Sequence, residues 1–269
     1  MTSWLSILEA CSQKMKEEIL PLFGSAEAQA GFGIGAGGDV IKKIDLAAEN
    51  ALIQTLQDYG VSCTLISEEA GTREIGSNPS SFYLTTDPLD GTTNAVRGAP
   101  FMAISLAVSK RPYLRDVETA LVRDPVHDVT YTAERGKGAF RDHEGIQPSS
   151  TTSFEEAVMG VDFNTLKMRE IMWRLIPLLE RTKHLRHFGA DALELCYVAD
   201  GTTDAFIDIR GKLRVTDIAA AYLIIREAGG IMVTPEGSEL DVALDATQRV
   251  AFIAAANKTI YTQIQKLLK

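Results

Sequence analysis

Asp87-Pro88-Leu89-Asp90-Gly91-Thr92-Thr93-Asn94 follows directly on Phe82-Tyr83-Leu84, a short apolar run that reads as a strand. Two carboxylates stand three residues apart across a proline. Pro88 fixes its own backbone and biases Asp87 toward an extended conformation, so a rigid turn can aim both acids at one spot. Gly91 permits a tight turn, and Gly91, Thr92 and Thr93 can offer backbone N–H groups and hydroxyls to an anion. Two further acidic groups sit in matching positions. Ser67-Glu68-Glu69 follows the strand Thr64-Leu65-Ile66, and Asp217 opens the helix beginning Ile218-Ala219-Ala220-Ala221. Strand ends and helix N-termini are where α/β proteins place ligands.

Each of these features alone is ordinary. An Asp-Pro-x-Asp-Gly turn is commonly a surface loop, a Glu-Glu pair a solvated face, and Asp217 a helix cap. Their conjunction is different. Glu68, Asp87, Asp90 and Asp217 together make an oxygen-only, strongly negative cage suited to Mg²⁺, a hard cation. Carboxylates gathered in this way need a cation to remain ionised, and a two-metal site can activate water and shield the oxygens of an attacked phosphate.

Outward from these groups the chain has 269 residues, 45% hydrophobic and 23% charged, with a formal charge of −9. This is a globular composition, long enough for one large domain or two intimate halves. The acidic balance argues against a nucleic-acid partner, and no apolar run long enough to span a membrane is present. Cys11, Cys63 and Cys196 are scattered without metal-type spacing and read as buried, reduced thiols. Together with an N-terminus that lacks signal-peptide character, they predict a cytoplasmic protein.

Apolar periodicity predicts helices over 4–20 and 44–59, then short strands as far as 140 with a hairpin turn at Arg135-Gly136-Lys137-Gly138. The stretch 142–153 is the most linker-like. Beyond it, strands at 157–163, 205–209, 231–233 and 250–255 alternate with helices at 166–182, 190–199, 217–228 and 257–268. The expected class is α/β, or α+β. Met172 and Trp173 read as core or subunit-interface packing, and the four histidines as surface or structural groups.

The eight-residue string closely resembles the first signature of the inositol monophosphatase family. Thr216-Asp217-Ile218-Ala219-Ala220-Ala221 with Glu227-Ala228-Gly229-Gly230 resembles its second. Ser67-Glu68-Glu69-Ala70-Gly71 is similar to the family's Gly-Glu-Glu segment, with Ser in place of the first Gly. Gly38-Asp39-Val40-Ile41-Lys42-Lys43-Ile44-Asp45 resembles its Asp-x5-Asp segment, and Gly189-Ala190-Asp191-Ala192 loosely matches its Gly-x-Ala-Ala loop. The matches run in order from about 38 to 230, and with the flanking helices the resemblance covers nearly the whole chain.

The resemblance implies an alternating α-β-α-β-α layered sandwich that hydrolyses phosphate monoesters with Mg²⁺, two or three per site, or with Mn²⁺. It implies one catalytic unit over 1–269. Residues 1–150 would carry most metal ligands, and 151–269 would carry Asp217 and the sugar-binding residues. Glu68, Asp87 and the Leu89 carbonyl would hold the activating metal, and Asp87, Asp90 and Asp217 the second. Thr92 with Glu68 would orient the attacking water, and Asp45 would support a further, weaker metal. Asp90, the Gly91 and Thr92 amides, and Asp191 would meet the substrate. A homodimer is the expected assembly.

Seven residues before the second-signature Asp, the animal enzymes carry a Glu that touches an inositol hydroxyl; this chain has Arg210. An Arg suits a phosphate, although a strand-capping or ion-paired role is equally open. Arg186, Lys212 and Arg214 could lie nearby. The chain looks most like the archaeal branch that acts on both fructose 1,6-bisphosphate and inositol 1-phosphate, with Arg210 gripping the second phosphate. A 3′-phosphoadenosine 5′-phosphate phosphatase is the alternative substrate reading. From another class, Gly33-Ile34-Gly35-Ala36-Gly37-Gly38 has the GxGxxG spacing of dinucleotide-binding oxidoreductases, but no strand precedes it. It reads better as a mobile loop beside the metals. A catalytically dead binding homologue is disfavoured because every metal-ligand position keeps its acid.

Overall fold

The computed structural model describes residues 3–77, 82–166 and 168–268. Two helices come first, α1 (Trp4–Ile19) and α2 (Lys43–Asp58), each burying one apolar stripe. Between them lies a two-stranded antiparallel hairpin, β1 (Gly31–Ile34) with β2 (Val40–Lys42).

An eight-stranded sheet follows. It comprises β3 (Cys63–Ser67), β4 (Gly71–Ile75), β5 (Tyr83–Asp90), β6 (Ala103–Ser109), β7 (Val117–Asp124), β8 (Val129–Glu134), β9 (Ala139–Arg141) and β10 (Glu144–Gly145). Its order is β10-β9-β8-β7-β6-β5-β3-β4, and the short helix α3 (Thr92–Arg97) leaves the end of β5.

The second sheet has five strands in the order β12-β11-β13-β15-β14. They are β11 (Val158–Val161), β12 (His184–Arg186), β13 (Ala205–Arg214), β14 (Ile231–Val233) and β15 (Arg249–Ala255). Their helices are α4 (Arg169–Leu179), α5 (Asp191–Ala199), α6 (Val215–Ala228) and α7 (Lys258–Leu267).

Three apolar clusters fix the layering. Leu8, Met15, Leu52 and Leu56 of α1 and α2 pack on Leu65, Leu84 and Leu106 of the large sheet. The other face of that sheet, through Ala107, Val122 and Tyr131, meets Leu195, Ala219 and Tyr222 of α5 and α6. The same two helices reach Phe206 and Phe252 of the small sheet, whose far face packs Leu175 and Leu178 of α4 and Ile260 and Ile264 of α7. The result is the expected α-β-α-β-α sandwich. α6 is enclosed between two sheets, which explains why Val215–Ile225 is buried on every side and shows no polar stripe.

Several boundaries differ from expectation. α4 is shorter than 166–182, contains Pro177 in its last turn, and leaves Trp173 68% exposed, so Trp173 is not core. β13 runs on to Arg214 past a register shift after Asp208, so it carries Arg210, Lys212 and Arg214 to the start of α6. All three cysteines are free and buried, and burial pushes the Cys11 and Cys63 thiols up to about 12. No helix among the described residues is long and apolar enough to cross a membrane.

Candidate active site

β3 and β5 are parallel neighbours, with Ser67 opposite Thr86. Glu68 and Asp87 therefore leave adjacent strands at the same edge. Pro88 cannot donate to the ladder, and the register between Asp87–Ser105 and Asp90–Ala103 absorbs one extra residue there. Asp87 Oδ1 accepts from the Leu89 amide at 3.0 Å, closing the turn locally. Gly91 then takes φ +86°, and a Cβ there would stand 3.1 Å from Ala190 Cβ and 3.2 Å from the Gly189 carbonyl. Only glycine fits where the loop of the large sheet meets the start of α5.

Asp217 enters from α6. Its Oδ2 accepts from the Arg214 amide at 2.9 Å and its Oδ1 from Thr216 Oγ1 at 3.0 Å, so helix capping fixes the carboxylate's direction. Asp90 Oδ2 accepts from the Ala192 amide at 2.7 Å in the first turn of α5. Glu68, Asp87 and Asp217 each present a carboxylate oxygen within 4.8 Å of the others. These hard, clustered donors fit a divalent cation.

Burial raises all four acids well above the carboxylate range or in that direction. Repulsion adds to this, from Glu68 and Asp90 on Asp87, and from Asp217 on Glu68 and Asp90. A cation bound among them would relieve that cost.

A cavity of about 750 Å³ gathers Asp45, Glu68, Asp87, Leu89, Asp90, Gly91, Thr92, Asp191, Arg210 and Asp217. Thr92 Oγ1 lies 2.9 Å from Asp45 Oδ1 and 3.1 Å from the Leu89 carbonyl, so its hydroxyl partner here is Asp45 rather than Glu68. Burial pushes the Asp45 carboxyl up to about 6, against the hydrogen bonds from Lys42 and Thr92. Glu68 Oε1 instead pairs with Arg214 Nη1 at 2.7 Å.

Two of the arginines expected near the substrate are placed as follows. Arg186 is exposed, lies outside the cavity lining, and turns its guanidinium to the Leu185 carbonyl at 2.8 Å. Arg210 lines the cavity, yet its guanidinium is held by Asp208 through Nε and Nη2, by Asp162 through Nη2, and by the Asn164 carbonyl through Nη1 at 2.6 Å. Its side chain is 3% exposed between two buried aspartates, the ion-paired arrangement that the sequence left open.

The glycine stretch ends β1 and forms the turn of the β1–β2 hairpin, and α2 begins only at Lys43, in keeping with its rejection as a dinucleotide loop. The turn borders the acidic cluster: Ala36 and Gly37 donate to the carbonyls of Glu69 and Glu68, and the Gly37 carbonyl accepts from Arg214 and Arg249.

Asp162 and Asn164 also line the cavity and were not singled out from the sequence, and His187, read there as a surface or structural group, lines it too. Asp162 had the same signal as Glu68, an acid at the end of an apolar strand.

The layered fold and this acid-lined cavity define a metal-dependent phosphatase. The profile of the inositol monophosphatase family matches residues 2–269, and the chain belongs to that family. A fructose-1,6-bisphosphatase/inositol-1-monophosphatase of Methanothermobacter thermautotrophicus is 34% identical, over 99% of this chain and 96% of its own. One of Thermococcus kodakarensis is 35% identical, over 99% and 98%. The crystal structure of an inositol monophosphatase–fructose 1,6-bisphosphatase superposes with TM-score 0.86 at 31% identity, covering 99% of this chain and all of that one.

Proposed function

We propose that this protein is a Mg²⁺-dependent phosphatase that releases the 1-phosphate of fructose 1,6-bisphosphate and also hydrolyses inositol 1-phosphate. The observation that carries the chemistry is the convergence of Glu68, Asp87 and Asp217 within 4.8 Å in the cavity. The full-length relatives of that dual name support the substrate pair.

Glu68, Asp87, the Leu89 carbonyl, Asp90 and Asp217 would hold two Mg²⁺, with Asp45 near a weaker third. When bound, such cations shield phosphate oxygens and make hydroxide available at neutral pH. The chain's own part is to place and deprotonate the water. Thr92 Oγ1 accepts a hydrogen bond from it while donating to Asp45, whose raised pKa suits a proton acceptor. The Gly91 and Thr92 amides would bind the phosphate. Lys42 and Lys212 line the cavity and are the cations left for a second phosphate, since Arg210 and Arg214 are both ion-paired. The three free thiols agree with a reducing, cytoplasmic setting.

The test is phosphate release with Mg²⁺ from fructose 1,6-bisphosphate, inositol 1-phosphate and 3′-phosphoadenosine 5′-phosphate. Turnover of the first two is expected. Preference for the nucleotide, or no release from either sugar-type ester, overturns the proposal.

A further inference from the structure

Asp45 and Glu49 stand one turn apart on α2, so both side chains leave the same face of the helix. Both are buried, at 2% and 5% exposure. Asp45 lines the cavity and accepts from Thr92, whereas Glu49 lies outside the cavity lining. A carboxylate removed from water needs partners, and those of Glu49 are specific. Its Oε1 accepts from the Ser67 hydroxyl and, at 3.2 Å, from the Ala70 amide. The Ser67 oxygen in turn accepts from the Glu69 amide at 3.2 Å. Ser67 ends β3 and pairs with Gly71 at the start of β4, so Glu68, Glu69 and Ala70 between them form the turn of a hairpin. Glu49 thus grips that turn on both sides of Glu68 and Glu69. The Glu68 amide itself donates to the Thr86 carbonyl of β5 at 3.3 Å. The backbone that carries this cavity acid is therefore pinned from the sheet and from α2 together.

We propose that Glu49 is a positioning residue: through Ser67 and the Ala70 amide it fixes the turn from which the Glu68 carboxylate meets Asp87 and Asp217. The inference rests on the metal-dependent phosphatase reading and names a residue behind that site on which its cation affinity depends. Carboxylates that share a cation must be held to within about 0.5 Å of their working geometry. Hydrogen-bonded supports behind such ligands are worth about 10–100-fold in metal affinity or activity.

The experiment measures Mn²⁺ binding by titration calorimetry, beside phosphate release from inositol 1-phosphate, in wild type, Glu49→Leu, Glu49→Gln and Ser67→Ala. Glu49→Leu leaves the Ser67 hydroxyl and the Ala70 amide without their acceptor, and its Mn²⁺ affinity should fall by about tenfold, with kcat/KM falling alongside. Glu49→Gln keeps an acceptor oxygen for both donors and should stay within about threefold of wild type. Ser67→Ala cuts one of the two links and should show a smaller loss in the same direction; it carries the test if Glu49→Leu does not fold. Mn²⁺ affinity within twofold of wild type in Ser67→Ala and in folded Glu49→Leu, whatever their melting temperatures, overturns the assignment and makes Glu49 a tie between α2 and the sheet. Losses in Glu49→Gln as large as those in Glu49→Leu overturn it too, since the charge and not the acceptor would then matter. Failure of the wild type to bind Mn²⁺ or to release phosphate overturns the phosphatase reading itself.

Discussion

Two buried acidic groups share one cavity and solve the same electrostatic problem differently. Asp162 and Asp208 close on Arg210, so their charge is answered within the chain. Among the described residues, Glu68, Asp87, Asp90 and Asp217 have one ion-pair partner, Arg214, and its guanidinium is divided between Glu68 and Asp39. Carboxylates removed from water must be paired, protonated or bound to a cation. The first group is therefore architecture, and the second is incomplete until a cation arrives from outside.

The largest effect should come from disturbing the second group. Asp87→Asn should lower phosphate release by about 10³-fold, while circular dichroism and the melting temperature without metal hold steady or improve, since a repelling charge has been removed. A variant retaining substantial activity would take Asp87 out of the metal set.

Disturbing the first group should show the opposite pattern. Arg210→Ala leaves two buried aspartates without their counter-charge and should cost about 3–5 kcal/mol in urea unfolding. Activity on fructose 1,6-bisphosphate and inositol 1-phosphate should fall in parallel. A loss confined to the bisphosphate would restore Arg210 as a phosphate ligand.

The smallest effect is a pH slope. Burial holds Glu69 and Glu194 at about 7 in the folded chain, above their unfolded value near 4.3. The folded state therefore keeps protons that the unfolded state releases between those values. Stability without metal is fullest below about 4.3 as far as these two groups decide it, and declines as pH rises toward 7. Melting temperatures of the metal-free protein across that window should fall with pH, and saturating Mg²⁺ should flatten the slope. A rise across the same window would mean that these acids are not penalised by burial.

The difference between the two groups also marks where sequence reading stops. Asp87 and Asp90 were legible because Pro88 and Gly91 announce the turn that converges them. Glu68 and Asp217 were legible because each abuts a recognisable strand or helix. Local signals sufficed, and the parallel pairing of β3 with β5 did the rest. The layered fold was legible through the same motifs.

Arg210 was different. Its partner Asp162 lies 48 positions away and reaches it only because β11 and β13 pair with Gly160 opposite Phe206 and Val161 opposite Ile207. No spacing in the sequence encodes that register. The sequence therefore left the ligand and ion-pair readings of this arginine equally open, and the structure shows the ion pairs. Nor does any spacing place Arg186, which ends the edge strand β12 with its side chain exposed.

The contact at Gly91 has a consequence for how the active site comes into being. Glu68, Asp87 and Asp90 belong to the large sheet, whereas Asp217 and Asp191 arrive on helices of the other half. Where the two meet, the clearance is narrower than one methyl group. The site is thus a joint more than a hollow, with a tolerance set by a missing side chain. Activity is the report of a docking event, and a substitution that wedges this seam would silence the enzyme with every ligand still in place.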